Sequence, residues 1–299
     1  MTPRRLLVHA LFALAPLLAA TAHANDSSFG DANGTIQLTR QPDIRMSKEA
    51  LFISEDLVRV DYVFTNTSTR DLLVPIAFPM PPMYFGPADH SELTEFKLWV
   101  DGKPVRTERK LVAQLDGADV SRVWAASGWS SDDLAAYIDS GKTPKGRKAL
   151  PKDWFDPDGQ PLFTLSEYFT WQQRFAAGKS VSIRHSYAPS LATGVPMPAA
   201  DLIRDYAKDT CLDAGAQRTA RRREREYGLE WSNLRYILLT GNNWKGPIQE
   251  FHLTLKKRAP TDIVSLCFDG ELKRTDPLTF EFEQKDFVPT QDLDVLFLR

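Results

Sequence analysis

Cys211 and Cys267 are the only thiols in the chain. They lie too far apart for a CxxC redox motif. A bridge between them would close a loop of about 56 residues and stabilise the fold by about 4 kcal/mol through loop-closure entropy. Two buried reduced thiols are the alternative. His90, His185 and His252 form no HxH or HExxH pair, so the sequence spaces no zinc ligands. His185 alternates with Val181, Ile183 and Tyr187, which reads as a core histidine with a satisfied ring nitrogen. Asp156-Pro157-Asp158-Gly159 has calcium-loop character. With Gly159 at the invariant loop glycine, however, Trp154 takes the first ligand position and Leu165 the twelfth, where a glutamate belongs. An EF-hand is excluded, and the segment reads as a turn.

Signatures of covalent catalysis and nucleotide binding are missing. There is no GxSxG elbow, and Gly141-Lys142-Thr143 has Ala136 where a P-loop needs glycine. The sequence thus marks no catalytic residue, no metal site and no cofactor. A pair of carboxylates for glycoside hydrolysis stays open, because their separation is a property of the fold.

Side chains that could meet a ligand fall in four places. Phe78 to Pro87 (FPMPPMYFGP) sets Phe78, Tyr84 and Phe85 on a stiff backbone suited to a sugar or peptide. The same segment could simply cross over and cover a sheet edge. Trp124 and Trp129, with Trp154, offer indole faces for sugar rings, or anchors for helices lying on a sheet. Asn243 and Trp244 stand before Gly246-Pro247, as ligand contacts or as a tight connection tolerant of left-handed backbone. Finally, Arg221, Arg222, Arg223 and Arg225 could grip an envelope polyanion. Glu224 and Glu226 dilute that field, as on a solvated helix face.

Strands must position these residues. Val58, Val60, Tyr62 and Phe64 share one face of a strand while Arg59, Asp61 and Thr65 point the other way, and Phe96, Leu98 and Val100 repeat the alternation. Phe169, Trp171 and Phe175, then Phe251, Leu253 and Leu255, repeat the pattern, which is that of half-buried antiparallel strands. Alternation fades over residues 117–162, where helical spacing (Val120, Val123, Trp124, then Leu134, Tyr137, Ile138) predicts an insertion. Ser131 before two aspartates reads as a helix N-cap. Residues 199–228 predict one or two further helices, and the Gly194, Pro196, Pro198 stretch reads as a linker. The expected fold is mainly β, with two antiparallel sandwich-like domains. The first, residues 25–195, carries the helical insertion; the second, residues 196–299, opens with short helices.

The first 24 residues read as a secretory signal peptide. Arg4-Arg5 precede an apolar run from Leu6 to Ala20, and Ala22-His23-Ala24 supplies a small-residue cut site after Ala24. The run has 15 residues, short of the roughly 20 needed to span a membrane, and none of that length follows. A periplasmic or secreted location is expected, and an oxidising compartment suits a disulfide. Net charge is −2, and removal of the leader takes away only arginines, which argues against nucleic-acid partners.

Several segments in order resemble a known family. These are Ile44 to Ser54, Val58 to Thr67 running into Ile76 to Pro81, and His185-Ser186-Tyr187-Ala188-Pro189. Thr240 to Ile248, Cys267-Phe268-Asp269-Gly270 and Lys285 to Pro289 follow. Together they are similar to the bacterial exported family known as domain of unknown function 4424. The resemblance implies an envelope or secreted protein and carries no catalytic assignment. The leading expectation is a non-enzymatic protein binding an envelope polysaccharide or an exported protein. A glycan hydrolase using two carboxylates, and an assembly factor acting through sheet edges, are the alternatives.

Overall fold

A computed structural model describes residues 26–32, 35–83, 85–86, 89–90 and 96–299. The expected leader, residues 1–24, lies outside the described residues, as does Tyr84. The chain opens with β1 (Ser27–Ala32), β2 (Thr35–Thr39), β3 (Ile44–Ile53), β4 (Val58–Asn66) and β5 (Leu72–Pro79). The short β6 (Phe85–Gly86) and β7 (Asp89–His90) pair with each other, before β8 (Lys97–Val100), β9 (Lys103–Val105), β10 (Glu108–Leu115) and β11 (Ala118–Asp119). Helices α1 (Ser121–Ser127) and α2 (Ser131–Ser140) precede β12 (Phe163–Phe175), β13 (Ser180–Tyr187) and β14 (Ala192–Thr193). Helices α3 (Ala199–Tyr206) and α4 (Ala214–Arg223) lead into β15 (Trp231–Tyr236) and β16 (Ile248–Lys256). The last strands are β17 (Ile263–Leu266), β18 (Lys273–Arg274), β19 (Thr279–Phe287) and β20 (Leu293–Leu298).

Three sheets share one core. The largest runs β18-β19-β16-β3-β4-β13-β8-β9, a second runs β11-β10-β12-β5-β1-β2, and a third runs β14-β15-β20-β17. The eight-stranded sheet thus draws strands from both sides of the 190–198 connection. Its pairs are antiparallel except β3 with β16, which run parallel. No hairpin can make a parallel pair, so the chain must return from a distance to form it. Val58, Val60, Tyr62 and Phe64 face inward from β4, as their alternation predicts. They meet Ile76 and Trp171 of the six-stranded sheet and Tyr236, Val295 and Phe297 of the third in a single cluster.

Strand β3 changes phase along its length. Ile44 and Met46 point inward, yet so do Glu49, Leu51 and Ile53. The pairing with β4 slips between Met46 and Lys48, leaving Ser47 as the extra residue of a β-bulge. That slip turns Lys48 out and Glu49 in.

The insertion is helical as expected. Its anchors Trp124, Trp129, Leu134 and Trp154 pack on Phe163, Leu165 and Ala113, so the long β12 serves this second cluster with one half and the main core with the other. The N-cap of α2 is Ser130, one residue before the expected Ser131. Ser130 and Asp133 have the capping-box spacing: the Ser130 hydroxyl accepts from Asp133 N (3.1 Å), and Ser130 N donates to the Asp133 carboxylate (2.9 Å).

Cys211 and Cys267 form a disulfide across 56 positions of sequence, tying the α3–α4 connection to the segment after β17. Leu202, Leu212 and Ala220 pack there on Leu296 and Leu298. Replacing both cysteines by serine should lower unfolding stability by about 4 kcal/mol. Urea titration of the two proteins measures it, and an unchanged midpoint would contradict the role given to the bridge.

Candidate functional site

Burial separates the polar residues into an inner centre and an outer face. Asp26 and His185 are both 0% exposed, with a carboxylate oxygen 3.0 Å from His185 Nε2. Phe78 stacks on the imidazole with ring centres 4.9 Å apart, and Phe96, Trp171 and Tyr62 complete an aromatic wall. Burial pushes the Asp26 carboxyl up from its ordinary 3.8, against the lowering effect of His185. Beside the pair, the hydroxyls of Tyr62 and Tyr236 lie 3.3 Å apart, joining two sheets. Burial is also the main cause that raises both phenols. Both side chains are closed off from solvent, and their bond ties β13 to the residue ahead of β1.

The expected ligand residues Asn243 and Trp244 belong to that centre. Trp244 Nε1 donates to the Asp26 carbonyl (2.6 Å), and Asn243 Nδ2 donates to Ser27 Oγ (2.9 Å). The Asn243 carbonyl accepts from Gln41 N (2.7 Å). Together they clamp the first described residues into the core. Phe78 (0%), Trp124 (2%), Trp129 (5%) and Trp244 (4%) are packing residues rather than a surface, because each ring fills the space between a sheet and what covers it. Of Phe85 only the backbone, in β6, is described. Asp156 caps its own turn, accepting from Asp158 N (2.9 Å) and Gln160 N (2.7 Å). Arg221, Arg222 and Arg223 are exposed in the last turn of α4, where positive charge meets the negative end of the helix. Among the described residues no group of three or more His, Cys, Asp or Glu could hold a metal ion.

The outer face of the eight-stranded sheet is a different surface. Register places Pro104, Trp99, Arg184, Asp61, Ala50, His252 and Glu283 in one row across seven strands. Small side chains at Ala50, Ser182 and Gly102 leave a depression of about 580 Å³ between Trp99, Arg184, Asp61 and Lys48. Arg184 is hydrogen-bonded to Asp61, which also lies 3.4 Å from Arg59. The Asp101-Gly102 turn, both residues in left-handed backbone, is pinned by Ser182 N donating to Asp101 (2.9 Å). Two neighbouring depressions, of about 450 and 480 Å³, are also lined by Lys48. Lys48 therefore stands where all three meet, turned outward by the bulge, with no ion-pair partner among the described residues. The face can take a ligand with one flat apolar side and a polar rim.

Sequence reasoning passed over Trp99, Lys48, Asp61 and Arg184 because outward positions read simply as wet. Two signals were available. Trp99 is a large aromatic at an outward position between Leu98 and Val100, and the apolar phase shifts from Ile44 and Met46 to Leu51 and Ile53.

The family described as domain of unknown function (DUF4424) matches residues 24–296, and the chain belongs to it. No curated protein matches the sequence. Among solved structures, the chain is similar to a provisionally assigned nutrient binding protein of Legionella pneumophila, with TM-score 0.48 and 15% identity over 92% of this chain and 70% of that one. It is also similar to an M1 zinc metallopeptidase of Deinococcus radiodurans, with TM-score 0.33 and 11% identity over 87% of this chain and 43% of that one. Neither likeness bears on what this chain binds. Among the described residues no helix is long and apolar enough to cross a membrane.

A raised Asp26 value means that the folded state holds a proton more firmly than the unfolded chain. Stability from this group is present at low pH and is lost as pH rises from about 3.8 toward the higher folded value. Asp26→Asn removes the titration, so wild type should lose stability relative to the variant across that window. Denaturant melts at stepped pH read the difference, and parallel curves would contradict the burial of an ionisable Asp26.

Proposed function

We propose that this chain is an exported, non-enzymatic binding protein that engages its ligand on the outer face of the eight-stranded sheet. The observation that carries the reading is the depression between Trp99, Arg184, Asp61 and Lys48. It lies mostly on strands, with the hydrogen-bonded Asp101-Gly102 turn and the bulge at Ser47 at its margins, so its walls are held without ordering long loops, which lowers the cost of binding. The leader-like first 24 residues and the disulfide support an oxidising, exported location. A periplasmic or secreted binding role joins these features in one account.

Hydrolysis is the weaker reading. Two carboxylates about 5–10 Å apart are needed, and Asp61 is the sole carboxylate among the residues lining the depression, engaged there by Arg184 and Arg59. Assembly through strand addition is weaker too. The large sheet ends in β9, three residues with Pro104 in the middle, and β18, two residues, and such short edges resist pairing.

The direct check is retention of envelope extract on immobilised protein, with bound glycan and protein identified by mass spectrometry. Trp99→Ala should lose a component that wild type and Tyr227→Ala both retain, Tyr227 being an exposed aromatic elsewhere. Identical profiles for all three would overturn the assignment of this face.

A further inference from the structure

We infer that the outer-face depression is a subsite for an acidic sugar residue within a glycan, its ring lying on Trp99 and its carboxylate meeting Lys48. The inference rests on the binding reading above and deepens it. A pyranose has one face of C–H groups and a rim of hydroxyls that both donate and accept. The depression is built the same way. Trp99 supplies a flat apolar wall, Arg184 donates, Asp61 accepts, and the Ser182 hydroxyl does both. The floor of Ala50 and Gly102 is low: a Cβ built on Gly102 would meet nothing within 4 Å. A ring can therefore sink beside the indole.

Charge selects the class of sugar. Arg184 and Arg59 share Asp61, so that trio already leaves a surplus of positive charge. Lys48 adds a cation with no ion-pair partner among the described residues, aimed outward by the bulge at Ser47. Bulges commonly re-aim a side chain next to a site. An anion placed here gains charge-assisted hydrogen bonds. Beyond Lys48 the charge is mixed, because Glu250, Asp286 and Glu283 line the adjoining depressions together with Lys285, the cross-strand neighbour of Glu250. A uniform polyanion, nucleic acid included, would collide with those carboxylates. An acyl chain would strip water from Arg184, Asp61 and Lys48 without replacing their hydrogen bonds. The fitting ligand carries one carboxylate at this subsite and neutral sugars on the side of β16 and β19.

Trigalacturonate serves as the acidic probe and maltotriose as the neutral one. The readout is the indole N–H resonance of Trp99 in an NMR titration, identified by its loss in Trp99→Phe. Wild type should shift this resonance with trigalacturonate and bind it at least tenfold more tightly than maltotriose. Lys48→Gln should remove about tenfold of that affinity, the worth of a hydrogen bond to a charged group, and leave maltotriose unchanged. Equal affinity for the two sugars, or a silent Lys48→Gln, overturns the acidic assignment. If Trp99 ignores both sugars while Trp99→Ala still loses its envelope component, the sugar class falls and the binding face stands. If both experiments fail, the face itself is misassigned.

Discussion

Strands β3 and β16 lie side by side and parallel, from Glu49 opposite Phe251 to Ile53 opposite Leu255. This pairing is the constraint on which the rest of the architecture depends. Without it, β3, β4, β13, β8 and β9 would form one sheet and β16, β19 and β18 another, each with an exposed edge. Joined, they make a face broad enough to carry three adjoining depressions, with Lys48 of β3 at their meeting point. The same union sets the inner face, which two smaller sheets must cover side by side. Leu51 and Leu253, cross-strand neighbours at the seam, are both buried in the main cluster.

Covering one sheet with two leaves a junction, and polar groups occupy it. Asp26 and His185 bond each other, Tyr62 meets Tyr236, and Asn243 and Trp244 hold Ser27 and Asp26 from the far side of the chain. A buried ionisable pair adds little net stability, whereas loss of one partner costs several kcal/mol. The bond ties the residue ahead of β1, which is seated between β2 and β5, to His185 of the large sheet. Registry of the small sheet and position of the seam are thereby linked.

Much of this was legible in the sequence, and the limits have physical causes. Period-two alternation at Val58 to Phe64 and at Phe251 to Leu255 marks strands because each buries one face. The insertion, the α3–α4 pair and the Cys211–Cys267 bridge follow from spacing and composition. Asn243-Trp244 attracts attention as a motif, but its partners Ser27 and Asp26 lie 216 and 218 residues away along the chain and nothing local points to them. Trp124, Trp129 and Phe78 attract attention as ligand surfaces for their size, and size is the reason they anchor the interior. The outer depression is legible only in part. Trp99 breaks the polar pattern of its strand, yet the row from Trp99 to Glu283 exists only through the register of non-consecutive strands.

Photo-crosslinking tests the central claim most directly. Phe52 lies on the outer face beside Arg59, one row from Asp61, whereas Leu73 and Val195 are exposed elsewhere. A benzoylphenylalanine placed singly at each of the three positions can be irradiated in cells that express the chain. The account predicts a discrete adduct from position 52 and none from 73 or 195. Adducts from 73 or 195 with none from 52 would contradict it.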